Sequence, residues 1–191
     1  MPPVHPSITR RPLHRRALDV QVFAREDGLF DVEASLIDTK SQDVPLAGKP
    51  RKAGEPIHEM QLHLTVDSTL TVTAASSDTL WMPYPDACAD HGDAYARLVG
   101  LNLLKGFRQA VADRLGGTAG CTHLTELCQI LPTAVIQAMA GSVIDTREGD
   151  ADGNPPFQLD RCHALRRDGA TVAKFYPRWH LATPETAQTA S

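Results

Sequence analysis

The segment GGTAGCTHLTELC, residues 116–128, concentrates the side chains best suited to chemistry. Cys121 opens an amphipathic helix behind Gly116, Gly117 and Gly120. The unpaired N–H groups and dipole of a helix start stabilise an anion, which favours a thiolate there. The glycines let another group approach the backbone closely. His123 and Glu126 are three residues apart and share a helical face, so the carboxylate could orient an imidazole that binds metal or acts as a base. His123 lies about 200° around the helix from Cys121, so a Cys–His pair requires Cys121 to sit in the turn before the helix proper. Three roles for Cys121 follow: nucleophile, metal ligand, or a small residue packed beneath the turn.

Other candidates are scattered. His58 begins the apolar face of a predicted strand, where a hydrogen-bonded core-edge histidine is the plain alternative to a ligand. Cys88 lies in the Pro-rich bridge WMPYPDACAD, a place where a structural cysteine is less expected. Cys162-His163 is a further thiol–imidazole neighbour pair, but adjacent side chains diverge in most conformations. Cys128 falls in an apolar helical stripe and reads as core, and His63 lies on a polar strand face with no assigned role. There is no Walker loop, GxGxxG, HExxH or GxSxG pattern, so nucleotide-binding and common hydrolase chemistries have no motif support.

These residues must be positioned by two kinds of element. Leu18, Val20, Val22 and Ala24 alternate with polar residues, then Asp27-Gly28 signals a hairpin turn, then Phe30, Val32, Ala34 and Leu36 alternate up to Asp38–Lys40. After the Pro/Gly/Lys-rich loop 41–56, Met60, Leu62, Leu64 and Val66 share a face with His58, and Asp67-Ser68 turns the chain into Leu70, Val72 and Ala74. The second half changes to helical period. It has a short helix at 92–100, a second with the stripe Phe107, Ala110, Val111 and Leu115, and a third with Leu124, Leu127, Leu131, Val135 and Met139. Pro132 must kink that third helix or start another. The expected fold is α+β: a small antiparallel sheet of two N-terminal hairpins, covered on one face by the helices of 93–140, with Met60, Leu62, Leu64 and Val66 meeting Leu124, Leu127 and Leu131. The expected organisation is a flexible basic arm at 1–14, one domain at 15–180, and a disordered tail at 181–191. The run from Arg10 to Arg16 reads as a solvated part of that arm.

With 191 residues and a formal charge of −4, the chain lacks the basic balance of a nucleic-acid binder. No apolar stretch approaches the ~18 residues of a membrane span, and no secretory signal is visible. The four cysteines form neither a disulfide framework nor a CxxC pair, which fits a cytoplasmic setting. Composition sets no oligomeric state.

DGLFDVEASLIDTK, GEPIHEMQLHLTVD, LVGLN, GGTAGCTHLTEL and LDRCHALRRDG together resemble the bacterial domain-of-unknown-function family 2889 (DUF2889), over roughly Arg10 to His180. More remotely, the order of elements resembles the U-type iron–sulfur cluster scaffolds, in which a small antiparallel sheet precedes helices and three cysteines hold the cluster. CTHL at 121–124 is similar to the third cysteine motif of those proteins, Cys88 stands where the loop cysteine belongs, and His58 falls near the aspartate of the first motif. No cysteine stands near Pro56, where the first one belongs. The resemblance implies a metal site of His58, Cys88 and Cys121, with His123 beside them, for zinc or an iron–sulfur cluster. Three functions follow. A metal- or cluster-associated scaffold or accessory protein, with a metal ion or a partner protein as its ligand, comes first. A small cytoplasmic enzyme acting on a small organic substrate through Cys121 or a bound metal would have a closed pocket at the 41–56 loop. An interaction module without chemistry would hold His58, Cys88 and Cys121 far apart.

Overall fold

The computed structural model describes residues 8–46, 49–88 and 93–182. Residues 1–7 of the expected arm and 183–191 of the expected tail lie outside the described residues. Two compact units divide the chain, Met1–Ala138 and Met139–Ser191.

Four antiparallel strands in the order β1-β2-β3-β4 form the sheet of the first unit: β1 His14–Ala24, β2 Phe30–Lys40, β3 Pro56–Val66 and β4 Val72–Trp81. With the helices that follow, this is an α+β fold. Gly28 closes the first hairpin at φ 82°, a conformation that glycine adopts without a Cβ clash. One face of the sheet is core. Val32, Ala34 and Leu36 of β2 are buried, as are Met60, Leu62, Leu64 and Val66 of β3, while His63 and Thr65 face the other way. The same period of two carries Asp38 onto that core face, where it is 3% exposed.

β4 departs from the simple alternation. Its register against β3 shifts between Thr65/Val66, so Ala74 is exposed and Ala75, Ser77 and Thr79 turn inward opposite Leu64, Leu62 and Met60. Leu70, fully buried at φ 67°, belongs to the turn rather than the strand.

Helix α1 spans Pro85–Cys88 and a 3-10 turn spans Ala94–Leu98, stopped by Gly100 at φ 83°. Helix α2, Phe107–Leu115, buries Phe107, Val111 and Leu115. Helix α3 runs through Thr122–Met139 without a break at Pro132. Leu124, Leu127, Cys128, Leu131 and Val135 are all 0% exposed, so the apolar stripe and Cys128 belong to the core. The loop 41–55 is tied to the sheet by Gly54 N donating to Lys40 O (2.8 Å) and by Arg51, which donates to Pro56 O (3.1 Å) and stacks on Trp81.

In the second unit Leu159 and Val172 are buried, the latter on helix α4, Ala170–Phe175. Cys162 is exposed there, just before a 3-10 turn at His163–Leu165. No helix among the described residues is long and apolar enough to cross a membrane.

Candidate functional site

Strand pairing alone lines up three ionisable side chains. Arg16 of β1 stands opposite Asp38 of β2, and Asp38 stands opposite His58 of β3. Opposite residues in an antiparallel sheet share a face, so the three form one row across the core-facing side. The first turn of α3 closes over this row. His123 stacks on His58, ring centroids 3.9 Å apart, and Glu126 reaches Arg16 Nη1 at 2.5 Å. The three-residue spacing does place His123 and Glu126 on one face, but the carboxylate serves Arg16 rather than an imidazole.

Asp38 is the hub. Arg16 holds it in a fork, Nε to Oδ1 at 2.8 Å and Nη2 to Oδ2 at 2.7 Å, and His14 Nε2 reaches Oδ1 at 2.9 Å. His58 Nδ1 lies 3.2 Å and His123 Nε2 3.6 Å from Oδ2. Burial by itself would push this carboxyl up, but the bonds and charge of Arg16, with help from His14, win and hold it at about 2. Asp38 is therefore ionised at neutral pH and can only accept. A carboxylate offers roughly four lone-pair positions. Arg16 uses one on each oxygen and His14 a second on Oδ1, which leaves the second position of Oδ2 to the two imidazoles. His14 and Arg16 thus belong to a strand and to this network, not to a solvated arm. Pairing with β2 brings both beside a buried carboxylate, whose desolvation their bonds offset.

Both imidazoles of the stacked pair are pushed toward the neutral form. Desolvation lowers His58 most, against the pull of Asp38. Desolvation also leads for His123, followed by the charges of His58 and Arg16. Neutral imidazole is the form that ligates metal. One donor atom each from Asp38, His58 and His123 fall within 4.8 Å of one another.

Cys121 sits just before α3, with its carbonyl accepting from Thr125 N at 2.9 Å, so it occupies the turn and not the helix proper. That position meets the condition for a Cys–His pair: Sγ lies 3.9 Å from His123 Nδ1 and 3.6 Å from Met60 Sδ. Tyr95, fully buried in the 3-10 turn, pins the residue. Its hydroxyl contacts Cys121 O at 2.8 Å and Cys121 N at 3.0 Å, and Thr125 Oγ1 at 3.0 Å. Burial pushes the Tyr95 phenol up to about 12, so it stays a neutral donor and acceptor.

A cavity of about 630 Å³ opens beside these groups. His58 and Met60, Pro83, Tyr84, Ala87 and Cys88, Ala94 and Arg97, and Thr118–His123 wall it. The 41–56 loop contributes no described lining residue, so the pocket is not where that loop suggested. Of the four candidate metal ligands, His58 and His123 are in ring contact, Cys121 is beside His123, and Cys88 is half-buried in the wall of the same cavity. Asp38, His14, Arg16 and Tyr95 were not among the residues singled out from the sequence. Asp38 had a readable signal, because continuing the alternation past Leu36 lands on it.

A family model described as "Protein of unknown function (DUF2889)" matches residues 14–137. The chain belongs to the DUF2889 family. The DUF2889 match begins at His14 and contains every residue of the Asp38 network, Tyr95, Cys88 and Cys121. No curated protein and no solved structure matches the chain.

Proposed function

We propose that this DUF2889 protein binds a divalent transition-metal ion at Asp38, His58 and His123 and uses it at the wall of the adjoining cavity. The observation that carries this reading is the convergence of one ionised carboxylate and two neutral imidazoles to within 4.8 Å. Tetrahedral ligands with metal–nitrogen and metal–oxygen bonds near 2.0–2.2 Å stand about 3.3–3.6 Å apart. The contacts of Asp38 Oδ2 with His58 Nδ1 (3.2 Å) and His123 Nε2 (3.6 Å) match that spacing. Moving the His58 proton to Nε2 would turn its Nδ1 lone pair toward an ion without any change of charge. Two of the three donors, His58 and His123, line the cavity while Asp38 is buried outside its lining. An ion held by them would keep coordination positions open on the cavity side, the pattern of a working centre rather than a closed structural one. Cys121 and Cys88 are the further donors available from the cavity wall, and they carry the iron–sulfur accessory form of the proposal.

Elemental and acid-labile sulfide analysis after anaerobic purification tests this directly. One equivalent of metal is expected in the wild type and little in His58→Gln or His123→Gln. Cobalt substitution then decides the thiols, since a thiolate ligand adds an intense near-ultraviolet charge-transfer band that Cys121→Ser would abolish. Metal content unchanged in both histidine variants would end the proposal.

A second reading has its own support. Cys121 Sγ, His123 Nδ1 and Nε2, and Asp38 Oδ2 run in sequence at 3.9 Å and 3.6 Å. An ionised Asp38 that accepts from Nε2–H leaves Nδ1 free to take the thiol proton, the tautomer that a cysteine nucleophile needs. This reading makes the protein a small enzyme acting through Cys121 without metal. Alkylation by iodoacetamide separates the two: His123→Gln should slow Cys121 modification in metal-free wild-type background, and an unchanged rate would leave the thiol outside any relay.

A further inference from the structure

We infer that the cavity beside Asp38, His58 and His123 receives a small organic carboxylate, and that Arg97 is the residue that binds it. The inference rests on reading that cavity as the working face of the proposed centre. Arg97 lines the cavity with Tyr84, Cys121 and His123. Its Nε donates to Ala94 O at 3.1 Å and its Nη2 to Ala119 O at 2.6 Å. Those two bonds fix the plane of the guanidinium, and both acceptors are neutral. The charge itself has no carboxylate partner among the described residues. Arg16, Arg25, Arg166, Arg167 and Arg178 each have one, whereas Arg51, Arg108 and Arg114 are also bonded to neutral oxygens but do not line this cavity.

The rest of the lining sharpens the ligand class. The chain carries 23 acidic residues against 19 basic, yet no Asp or Glu is among the described residues that line this cavity. Among the described lining residues a cationic ligand would find no counter-charge. Met60, Pro83 and Ala87 offer an apolar wall. A volume of about 630 Å³ suits a small molecule rather than a macromolecular segment. A guanidinium with unused N–H donors matches a carboxylate in a two-pronged bond. A carboxylate needs one positive charge and finds one. A phosphate dianion would call for a second cation, and in metal-free protein Arg97 is the single Lys or Arg among the described lining residues.

Benzoate serves as the probe, with benzamide as its neutral isostere and phenyl phosphate as the competing anion. Ligand-observed NMR is run on chelator-treated and zinc-loaded full-length protein. Benzoate should bind about tenfold more tightly than benzamide in both forms, as expected for one charge-assisted pair, and in the chelator-treated form more tightly than phenyl phosphate. Arg97→Gln should erase the preference, and Arg97→Lys, which keeps the charge but not the fork, should keep part of it. Thermal melts check folding, and if Arg97→Gln does not fold, a several-fold loss in Arg97→Lys carries the test. Equal binding of benzoate and benzamide, an undiminished preference in both Arg97 variants, or stronger binding of phenyl phosphate to the chelator-treated protein would overturn the inference. Zinc content is measured on the same samples, so that zinc retained without a benzoate preference removes this inference alone. A benzoate preference without zinc uptake removes the metal reading alone.

Discussion

Asp38 carries more consequences than any other side chain in the molecule. Its carboxyl is held at about 2 against an ordinary 3.8, so it contributes about 2 kcal/mol of stability at neutral pH. The contribution is complete above the unfolded-state value and is lost as pH falls through the folded one, that is, between about 4 and about 2. His58 and His123 act earlier. Their folded values lie below the ordinary 6.5, so the unfolded chain takes up protons first as pH drops below that value, and stability falls there too. Urea midpoints of metal-free protein should therefore decline below about pH 6.5 and decline again below about pH 4. His58→Gln combined with His123→Gln should flatten the first step only. Asp38→Asn keeps the shape but leaves the Arg16 fork facing an amide, and a loss of roughly 2–3 kcal/mol at pH 7 is expected, tempered because Arg16 is partly solvated. Cys128 belongs to the same scale. Burial pushes its thiol up to about 12, so iodoacetamide should spare it in native protein while labelling exposed Cys162. Modification of Cys128 before unfolding would mean that the α3 stripe opens locally.

At the scale of elements, the start of α3 is what holds the site together. It is positioned by the turn 116–120 and by Tyr95. Gly120 has extended backbone, so it is needed for closeness rather than for its φ: a Cβ there would lie 2.8 Å from Leu115 O and 3.1 Å from the Tyr95 hydroxyl. Gly120→Ala must push α2 and α3 apart at that point or displace Tyr95. Tyr95→Phe deletes the hydroxyl that contacts both backbone groups of Cys121, leaving the Cys121 N–H without its partner. A loss of about 1–3 kcal/mol is expected from an unsatisfied group of this kind. Hydrogen exchange should speed up at Cys121 and Thr125 in both variants, while the β2–β3 ladder stays protected. Uniform loss of protection over the sheet would show that the turn and the sheet open as one unit.

For the molecule as a whole, metal and folding must be linked if the centre exists. Asp38 and His58 come from different strands and His123 from a helix distant in sequence, so the unfolded chain has no such site. Zinc at one hundred times its dissociation constant should then stabilise the protein by about 2.7 kcal/mol, visible as a rise in melting temperature. The rise should vanish in His58→Gln and persist in His63→Gln, since His63 lies on the opposite face of β3 beside Asp78. An equal rise in both variants would trace the effect to adventitious binding elsewhere.

The sequence by itself determined the hairpins, the core face of β3, the α3 stripe and the neighbourhood of Cys121. Each follows from local periodicity or turn chemistry, which neighbours along the chain suffice to encode. It also carried the pairing of His123 and Glu126 on one helical face, because that depends only on helix geometry. What it could not encode locally is which strands lie side by side and in what register. Arg16, Asp38 and His58 are separated by more than twenty residues in part and meet only because β1, β2 and β3 pair in one alignment. A slip of one residue would turn Asp38 to the open face and dissolve the network. The β4 register shift is of the same kind, a product of packing that alternation along one strand does not reveal. Tertiary structure therefore decided that a buried carboxylate stands beside the paired histidines, because burial and cross-strand partners are properties of the assembled sheet.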